Sequence, residues 1–491
     1  MLRSMPGITR RAALASALAP AVLRGQRPAG DKPNLLFVWT DQQRADTMAA
    51  YGNAHFRVPA MNRLAEKSVV FDRYYVTQPV CTPSRSSILT GLWPHQNGTI
   101  NNNVPLPATA RCWPELLSDS AYRCGYFGKW HLGDEIFAQH GFHDWAGIED
   151  GYIPHYSAAR DRNARSAYHH FLLEHGYKPN TQQGTFSRGF ACGLPAKHCK
   201  PSFLAARAED FIERNRANPW LLSVNFLEPH SPYTGPYNDL HSSQEAPVPL
   251  NYPGPMEGRE PRHLAARREA TLNQRVEGQD LRQRAGWERL NRNYAGLCSQ
   301  VDQALSRILW ALETSGQAHN TVIVFTSDHG EMMGAHSLTG KGVMFEESLR
   351  VPLLIHVPFR GFRERRVRRP VSAIDLVPTV LDLLGRKNDE ALPGESLTRV
   401  MDGGTPAEDH VFVEWNTDVR TPRYRGVVSP DGWKLTLHED DHHTLFHRPS
   451  DPLELRNRYD TGGEAARVAS ALRKRIESWQ RQVNDSYPLP Q

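Results

Sequence analysis

Along the chain, apolar runs alternate with stretches in which apolar residues recur every three or four positions. Asn34–Thr40 (NLLFVWT), Trp220–Phe226 (WLLSVNF) and Thr321–Thr326 (TVIVFT) are runs of the first kind. Runs of this length without polar alternation predict strands buried on both faces, as in a parallel sheet. Val69–Tyr75 and Val351–Val357 predict further strands, and Gly125–Trp130 a strand running into a loop. Helices are expected over Pro59–Lys67, Cys81–Thr90, Trp113–Ser120, Phe203–Asn215 and Ala373–Leu384. Tyr294, Leu297, Val301, Leu305, Ile308 and Leu312 mark one face of a long helix that stops near Gly316. Residues 134–202 are rich in His, Gly, Tyr and Asn with weak periodicity, which predicts long loops of the kind that line a site. Pro232–Arg262 is Pro-rich and irregular.

The texture changes after about Leu397. Val411–Trp415, Tyr424–Val428, Trp433–His438 and Thr444–His447 are short alternating runs, followed by a helical pattern over Ala465–Val483. The expected fold is therefore α/β over residues 32–397, with a large central, mainly parallel or mixed sheet flanked by helices. A smaller C-terminal α+β domain with a short antiparallel sheet follows over residues 398–491.

Composition narrows the classes. The 491 residues are 39% hydrophobic and 23% charged, an ordinary globular mix that excludes a collagen, a disordered tail and a disulfide-dense miniature. A net charge of +5 gives no argument for nucleic acid and would not repel an anionic substrate. No internal apolar run approaches the roughly 20 residues of a membrane span. Residues 1–31 stand apart: Arg3, Arg10 and Arg11 precede the apolar run Ala12–Leu23 and a Pro/Gly spacer. That order is the layout of an export signal, and Arg10-Arg11 points to the twin-arginine route, hence a bacterial periplasm or cell surface.

Six cysteines are too few for a disulfide framework. Cys192 and Cys199 flank a short loop and could pair in an oxidising compartment. Cys112, Cys124 and Cys298 read as small buried hydrophobes. The Arg360–Arg369 run reads as a solvated loop, and His442-His443 as an exposed one.

Three of the predicted buried strands end in ligand-type residues: Asp41-Gln42, Glu228-Pro229-His230 and Asp328-His329. In open α/β sheets, sites form beyond the carboxyl ends of the strands. Cys81 starts a predicted helix, facing unpaired N–H groups and the positive end of the dipole, and Arg85 shares its face four residues on. A thiol so placed is a candidate nucleophile.

The segment Cys81-Thr82-Pro83-Ser84-Arg85 carries the Cys-x-Pro-x-Arg signature, and with it the chain resembles the type I sulfatases of the alkaline phosphatase superfamily. The resemblance continues in order through Asn34–Gln42, Cys81–Gly91 (CTPSRSSILTG), Gly128–Gly133 (GKWHLG), Glu228–Tyr233 (EPHSPY), Thr326–Gly330 (TSDHG) and Lys341 before Glu346-Glu347-Ser348. It implies an alkaline phosphatase-like fold and a sulfuric ester hydrolase acting on a sulfated carbohydrate. It also implies conversion of Cys81 to formylglycine by a maturation enzyme. One hydroxyl of the hydrated aldehyde would attack sulfur, and the other would lose its proton to release sulfate. Asp41, Gln42, Asp328, His329 and the modified Cys81 would hold one divalent metal. Arg85 would steady the hydroxyl pair, Lys129 and Lys341 would contact sulfate oxygens, His131 would take a proton, and His230 would donate one to the leaving oxygen, shared with Lys341.

The chain departs from the family pattern twice. Many members have Asp-Asp where this one has Asp41-Gln42, and Asp-Asn where it has Asp328-His329. Oxygen ligands favour calcium, while an imidazole admits manganese or magnesium. Both variants also occur among the phosphonate and phosphate ester hydrolases of the superfamily, which gives the alternative function. Lys129 and His131 in GKWHLG match the sulfatase branch.

Overall fold

The computed structural model describes residues 32–386, 391–416 and 422–490, so the expected export signal lies outside the described residues. Eight strands, numbered in chain order, form the large sheet: β1 (Asn34–Asp41), β2 (Val69–Tyr75), β3 (Arg123–Gly128), β4 (Asp144–Gly147), β5 (Trp220–Pro229), β6 (Thr321–Ser327), β7 (Leu353–His356) and β8 (Arg366–Ser372). Their spatial order is β8-β2-β7-β6-β1-β5-β3-β4. Only β7 runs against its neighbours, and every other adjacent pair is parallel.

The apolar run of β1 is unbroken because both faces are covered. Leu35, Phe37 and Trp39 enter one core with the helices Cys81–Thr90 and Leu376–Leu383. Leu36 and Val38 enter the other with Lys200–Arg214 and Arg284–Thr314. Each such side chain contributes about 1.5–3 kcal/mol on full burial, so β1 is fixed from both sides.

A second, antiparallel sheet has β9 (Val411–Trp415), β10 (Tyr424–Val428), β11 (Trp433–His438) and β12 (Thr444–His447) side by side in chain order. The helix Gly463–Val483 covers one face through Leu472, Ile476 and Trp479 against Phe412, Val427 and Leu435. Val411, Val413 and Trp415 of β9 face the other way, into the core of the large sheet. No helix among the described residues is long and apolar enough to cross a membrane.

Several expectations are corrected. The 134–202 stretch is not all loop: it holds β4 and the helices Ala167–Glu174 and Arg188–Cys192. Arg366–Arg369 of the presumed solvated run belong to the edge strand β8, where Val367, Pro370 and Val371 turn inward. The helix begun at Trp113 ends at Leu117, with Ser118 in the left-handed region (φ 49°). Cys192 and Cys199 are separate buried thiols, and Cys199 Sγ donates to the Leu194 carbonyl at 3.2 Å.

Candidate active site

The site is assembled at the carboxyl ends of β1, β5, β6 and β3, where parallel strands stop together. The β1 register against β5 shifts between Thr40 and Asp41, which turns the end of β1 out of the ladder. Gln42 follows with φ 74°, an uncommon backbone for a residue with a Cβ. Two bonds pin it there: its N–H donates to Asp328 Oδ1 at 3.1 Å, and Tyr294 OH donates to its carbonyl at 2.8 Å.

Cys81 is the first residue of the helix Cys81–Thr90, in which all ten residues are buried. A helix so rich in hydroxyls can be buried because it satisfies them: Thr82 Oγ1 donates to His131 O, Ser84 Oγ to Asp328 O, Ser86 Oγ to Pro83 O and Thr90 Oγ1 to Ser86 O. The first two of these bonds tie the helix start to the loop after β3 and to the end of β6. Cys81 Sγ lies 3.1 Å from His329 Nε2 and 3.7 Å from Asp41 Oδ1. His329 Nε2 lies in turn 3.6 Å from Asp41 Oδ1 and 3.5 Å from Asp328 Oδ1. One ligand atom each from Asp41, Cys81, Asp328 and His329 falls within 4.8 Å of the other three.

Arg85 reaches beneath this group. Its Nη2 pairs with Asp41 Oδ2 at 2.9 Å and Asp328 Oδ2 at 2.8 Å, and its Nη1 donates to Asn225 Oδ1 and Lys129 O. Lys129 Nζ meets Asp41 Oδ2 at 2.5 Å. Burial opposes ionisation of Asp41, but Lys129, His230, Arg85 and His329 outweigh it and hold the carboxyl well below its usual range. Burial likewise opposes a charge on His329, yet Asp328 and Cys81 raise its pKa, so the spot between the two carboxylates draws positive charge. Burial and Asp41 push the Cys81 thiol up, while Lys129, Lys341 and His329 bring it down to about 7.

Gln42 lies against this group through its N–H on Asp328. Its Nε2 donates to Tyr233 OH and to Glu331, which turns Oε1 inward, where Lys341 Nζ donates to it at 2.6 Å. The carboxylate and imidazole donors of Asp41, Asp328 and His329, all within 4.8 Å of one another, fit a divalent cation.

Above this floor opens a cleft of about 590 Å³, lined by Cys81, Lys129, His131, His230 and Lys341. Every sequence-predicted site residue is thus brought to one place. His131 (φ 59°) donates from Nε2 to Asn103 Oδ1 at 2.9 Å and leaves its buried Nδ1 without a partner. Burial first, then Lys129 and Arg85, keep its pKa well below the usual histidine value. His230 donates from Nδ1 to Ser231 O at 2.7 Å, and burial and Lys341 depress it similarly.

Sequence reasoning missed the supports. Buried Glu135 accepts from the Trp130 and His131 N–H groups and fixes the GKWHLG loop, and burial pushes its carboxyl up to about 7. Glu331 accepts from Tyr233 OH and the Met333 N–H as well as from Gln42. Both lie within four residues of a motif histidine, which was the available signal. The expected site-lining stretch 134–202 does supply the cleft wall, but its members Glu149, Asp150, Tyr152, His169, Arg188 and Lys200 are not singled out by the sequence. His336 stacks on Phe345 at 3.7 Å and does not line the cleft.

The motif glycines are steric requirements. Gly128 has φ 123°, and a Cβ there would stand 1.8 Å from Asn225 O; at Gly330 it would stand 1.9 Å from Glu347 O. Gly128→Ala is therefore expected to force β3 from β5 and displace Lys129. The cost is at least about 1–3 kcal/mol of strain, read as a lower melting temperature together with lost activity.

A family model described as Sulfatase matches residues 33–386, and one described as N-sulphoglucosamine sulphohydrolase, C-terminal, matches residues 334–482. The chain is 30% identical over 448 residues to the uncharacterized sulfatase YidJ of Escherichia coli, covering 87% of this chain and 83% of that protein. It is 26% identical over 507 residues to an N-acetylglucosamine-6-O-sulfatase of Bacteroides thetaiotaomicron, covering 94% and 89%. Among solved structures, that of BT4656 in complex with its substrate D-glucosamine-2-N,6-O-disulfate superposes with a TM-score of 0.76 at 23% identity, over 93% of this chain and 99% of the other. With the Sulfatase model spanning most of its length and the ordered motifs meeting in one cleft, this chain belongs to the sulfatase family of sulfuric ester hydrolases.

Proposed function

We propose that the chain hydrolyses sulfate esters of carbohydrates, with Cys81 converted to formylglycine and one divalent cation, calcium in the first place, held by Asp41, Gln42, Asp328, His329 and residue 81. The observation that carries this reading is the packing of Cys81 against Asp41, Asp328 and His329, with all four ligand atoms within 4.8 Å, on the floor of a cleft also lined by Lys129, His131, His230 and Lys341. The carbohydrate part is supported by the N-acetylglucosamine-6-O-sulfatase relative and by the polar wall of the cleft.

When bound, the cation would polarise a sulfate oxygen, and the hydrated aldehyde would supply a hydroxyl nucleophile. The remaining steps fall to the chain's own side chains. Arg85 Nη2 bridges the Asp41 and Asp328 carboxylates and holds them together one turn on from residue 81. Lys129 and Lys341 present ammonium donors to the other sulfate oxygens, where charge grows in the transition state. His131, neutral and with Nδ1 unpartnered, accepts the proton of the second hydroxyl. His230, with Nδ1–H given to Ser231 O, has Nε2 left for the cleft. Only its imidazolium form can protonate a leaving oxygen. Lys341 and burial oppose that form in the free site, and an incoming sulfate anion favours it. Lys341 is the second proton donor within reach.

Dialysis against a chelator tests the cation. Turnover of 4-nitrophenyl sulfate is expected to fall at least about 100-fold and to return with calcium, manganese or magnesium. Full activity after chelation would overturn the metal assignment. Maturation requires one macromolecular partner, a formylglycine-generating enzyme, and residues 1–31 carry the proposed export to a bacterial periplasm or cell surface.

A further inference from the structure

Across the cleft from the reacting centre, Arg188 is held by a two-point clasp. Its Nε donates to both Glu149 oxygens at 2.9 Å, and its Nη2 donates to Glu149 Oε2 and, at 2.8 Å, to Tyr152 OH. The third nitrogen, Nη1, has no acceptor among the described residues. The side chain is 32% exposed and lines the cleft. A guanidinium has only donors, so this fixed, unanswered edge calls for an acceptor from outside the chain. Glu149 is shared: Lys200 Nζ meets its Oε1 at 2.5 Å, so one carboxylate serves two cations. The other nearby acid, Glu228, is buried with Oε2 unpartnered, and burial pushes its carboxyl up to about 7. Asp150 is already occupied by the Ser166 N–H and His169 Nδ1. The two cations of this wall, Arg188 and Lys200, stand beside the Glu149 and Asp150 carboxylates, so what the wall leaves unanswered is the Nη1 edge of Arg188. The Tyr152 ring lies 4.5 Å from the His131 ring and 5.9 Å from the Arg188 guanidinium, and so links Arg188 to the reaction centre.

We infer that Arg188, clasped by Glu149 and Tyr152, is a specificity residue that reads a second anionic group on the substrate. The preferred ester would then be a saccharide bearing a further sulfate or carboxylate on the same or the adjoining sugar. This rests on the sulfatase reading above and deepens it. A charged donor aligned in advance gains a charge-assisted hydrogen bond without first ordering a long side chain. A neutral substrate group at the same place would leave the charge desolvated and poorly answered.

The test compares kcat/KM of the matured wild-type enzyme on an O-sulfated N-acetylhexosamine, the same sugar N-sulfated in place of the acetyl group, and a sulfated disaccharide containing a uronate. 4-Nitrophenyl sulfate is the reference without a second anion. The wild type is expected to favour a dianionic sugar over the neutral-amide one by about tenfold or more, with the advantage shrinking as salt rises. Whether the N-sulfate or the uronate shows it identifies the source of the anion. Arg188→Gln should erase the ratio, and Arg188→Lys should restore part of it. Equal loss on both kinds of sugar would make Arg188 merely structural, and a wild type without preference would overturn the inference with no variant needed. Failure to hydrolyse any sulfate ester, 4-nitrophenyl sulfate included, would instead overturn the sulfatase reading.

Discussion

Cys81→Ala is expected to lower hydrolysis of 4-nitrophenyl sulfate by at least about 10⁴-fold, the scale on which enzymes lose a covalent nucleophile, while the chain still folds. The helix Cys81–Thr90 is anchored by Thr82, Ser84 and Arg85, not by the thiol. Alanine is a better helix former than cysteine, and the cavity left by one sulfur is small. The melting temperature should therefore stay close to the wild type. Asp41, Asp328 and His329 keep their positions, so cation binding should persist at reduced affinity. The same variant would lose any activity toward an aryl phosphonate, because both reactions would share the nucleophile. The rate ratio of aryl sulfate to aryl phosphonate in the wild type separates the sulfatase from the alternative hydrolase. Turnover retained by Cys81→Ala would remove residue 81 from the chemistry.

Arg85→Leu carries the largest expected stability effect. Its guanidinium is the common partner of two fully buried carboxylates, Asp41 and Asp328, and it also answers Asn225 and the Lys129 carbonyl. Removing one partner of a buried charge network leaves the others uncompensated, at about 3–5 kcal/mol. A divalent cation between the carboxylates would replace part of the missing charge. The gap in melting temperature between variant and wild type should thus be widest in chelator and narrower in excess calcium. An equal gap in both conditions would mean that no cation sits between Asp41 and Asp328.

The parts of the molecule that were legible in sequence are those whose environment is uniform along the chain. The unbroken run at β1 reflects cover on both faces, Pro59 opens the helix Pro59–Lys67, and Gly91 closes the helix Cys81–Thr90. The floor of the site was legible because each contributing segment ends a buried strand or opens a helix, and those breaks carry motif residues. Direction is not encoded in an apolar run, so nothing in Val351–Val357 announced that β7 runs backwards. The edge strand β8 was hidden by its arginines: Arg366 reaches over to Asp72 on β2 while Val367 and Val371 fill the core. That residues 134–202 line the site was legible, but which of them form the wall was not, for a different reason. The Arg188–Glu149 pair spans 39 positions and the Lys200–Glu149 pair 51, in a stretch with no period to link them. Gln42 was visible as a motif residue, but the orientation of its amide, set by Glu331 and Tyr233, was not.

The floor comes from strand ends clamped between two cores, whereas most of the opposite wall comes from residues 148–200. Chemistry and selectivity are therefore separable inheritances. Descendants of one ancestral gene could exchange that single insert and turn to new polymers while leaving the bond-breaking apparatus untouched. A chimera carrying another relative's insert would be the laboratory equivalent of that history.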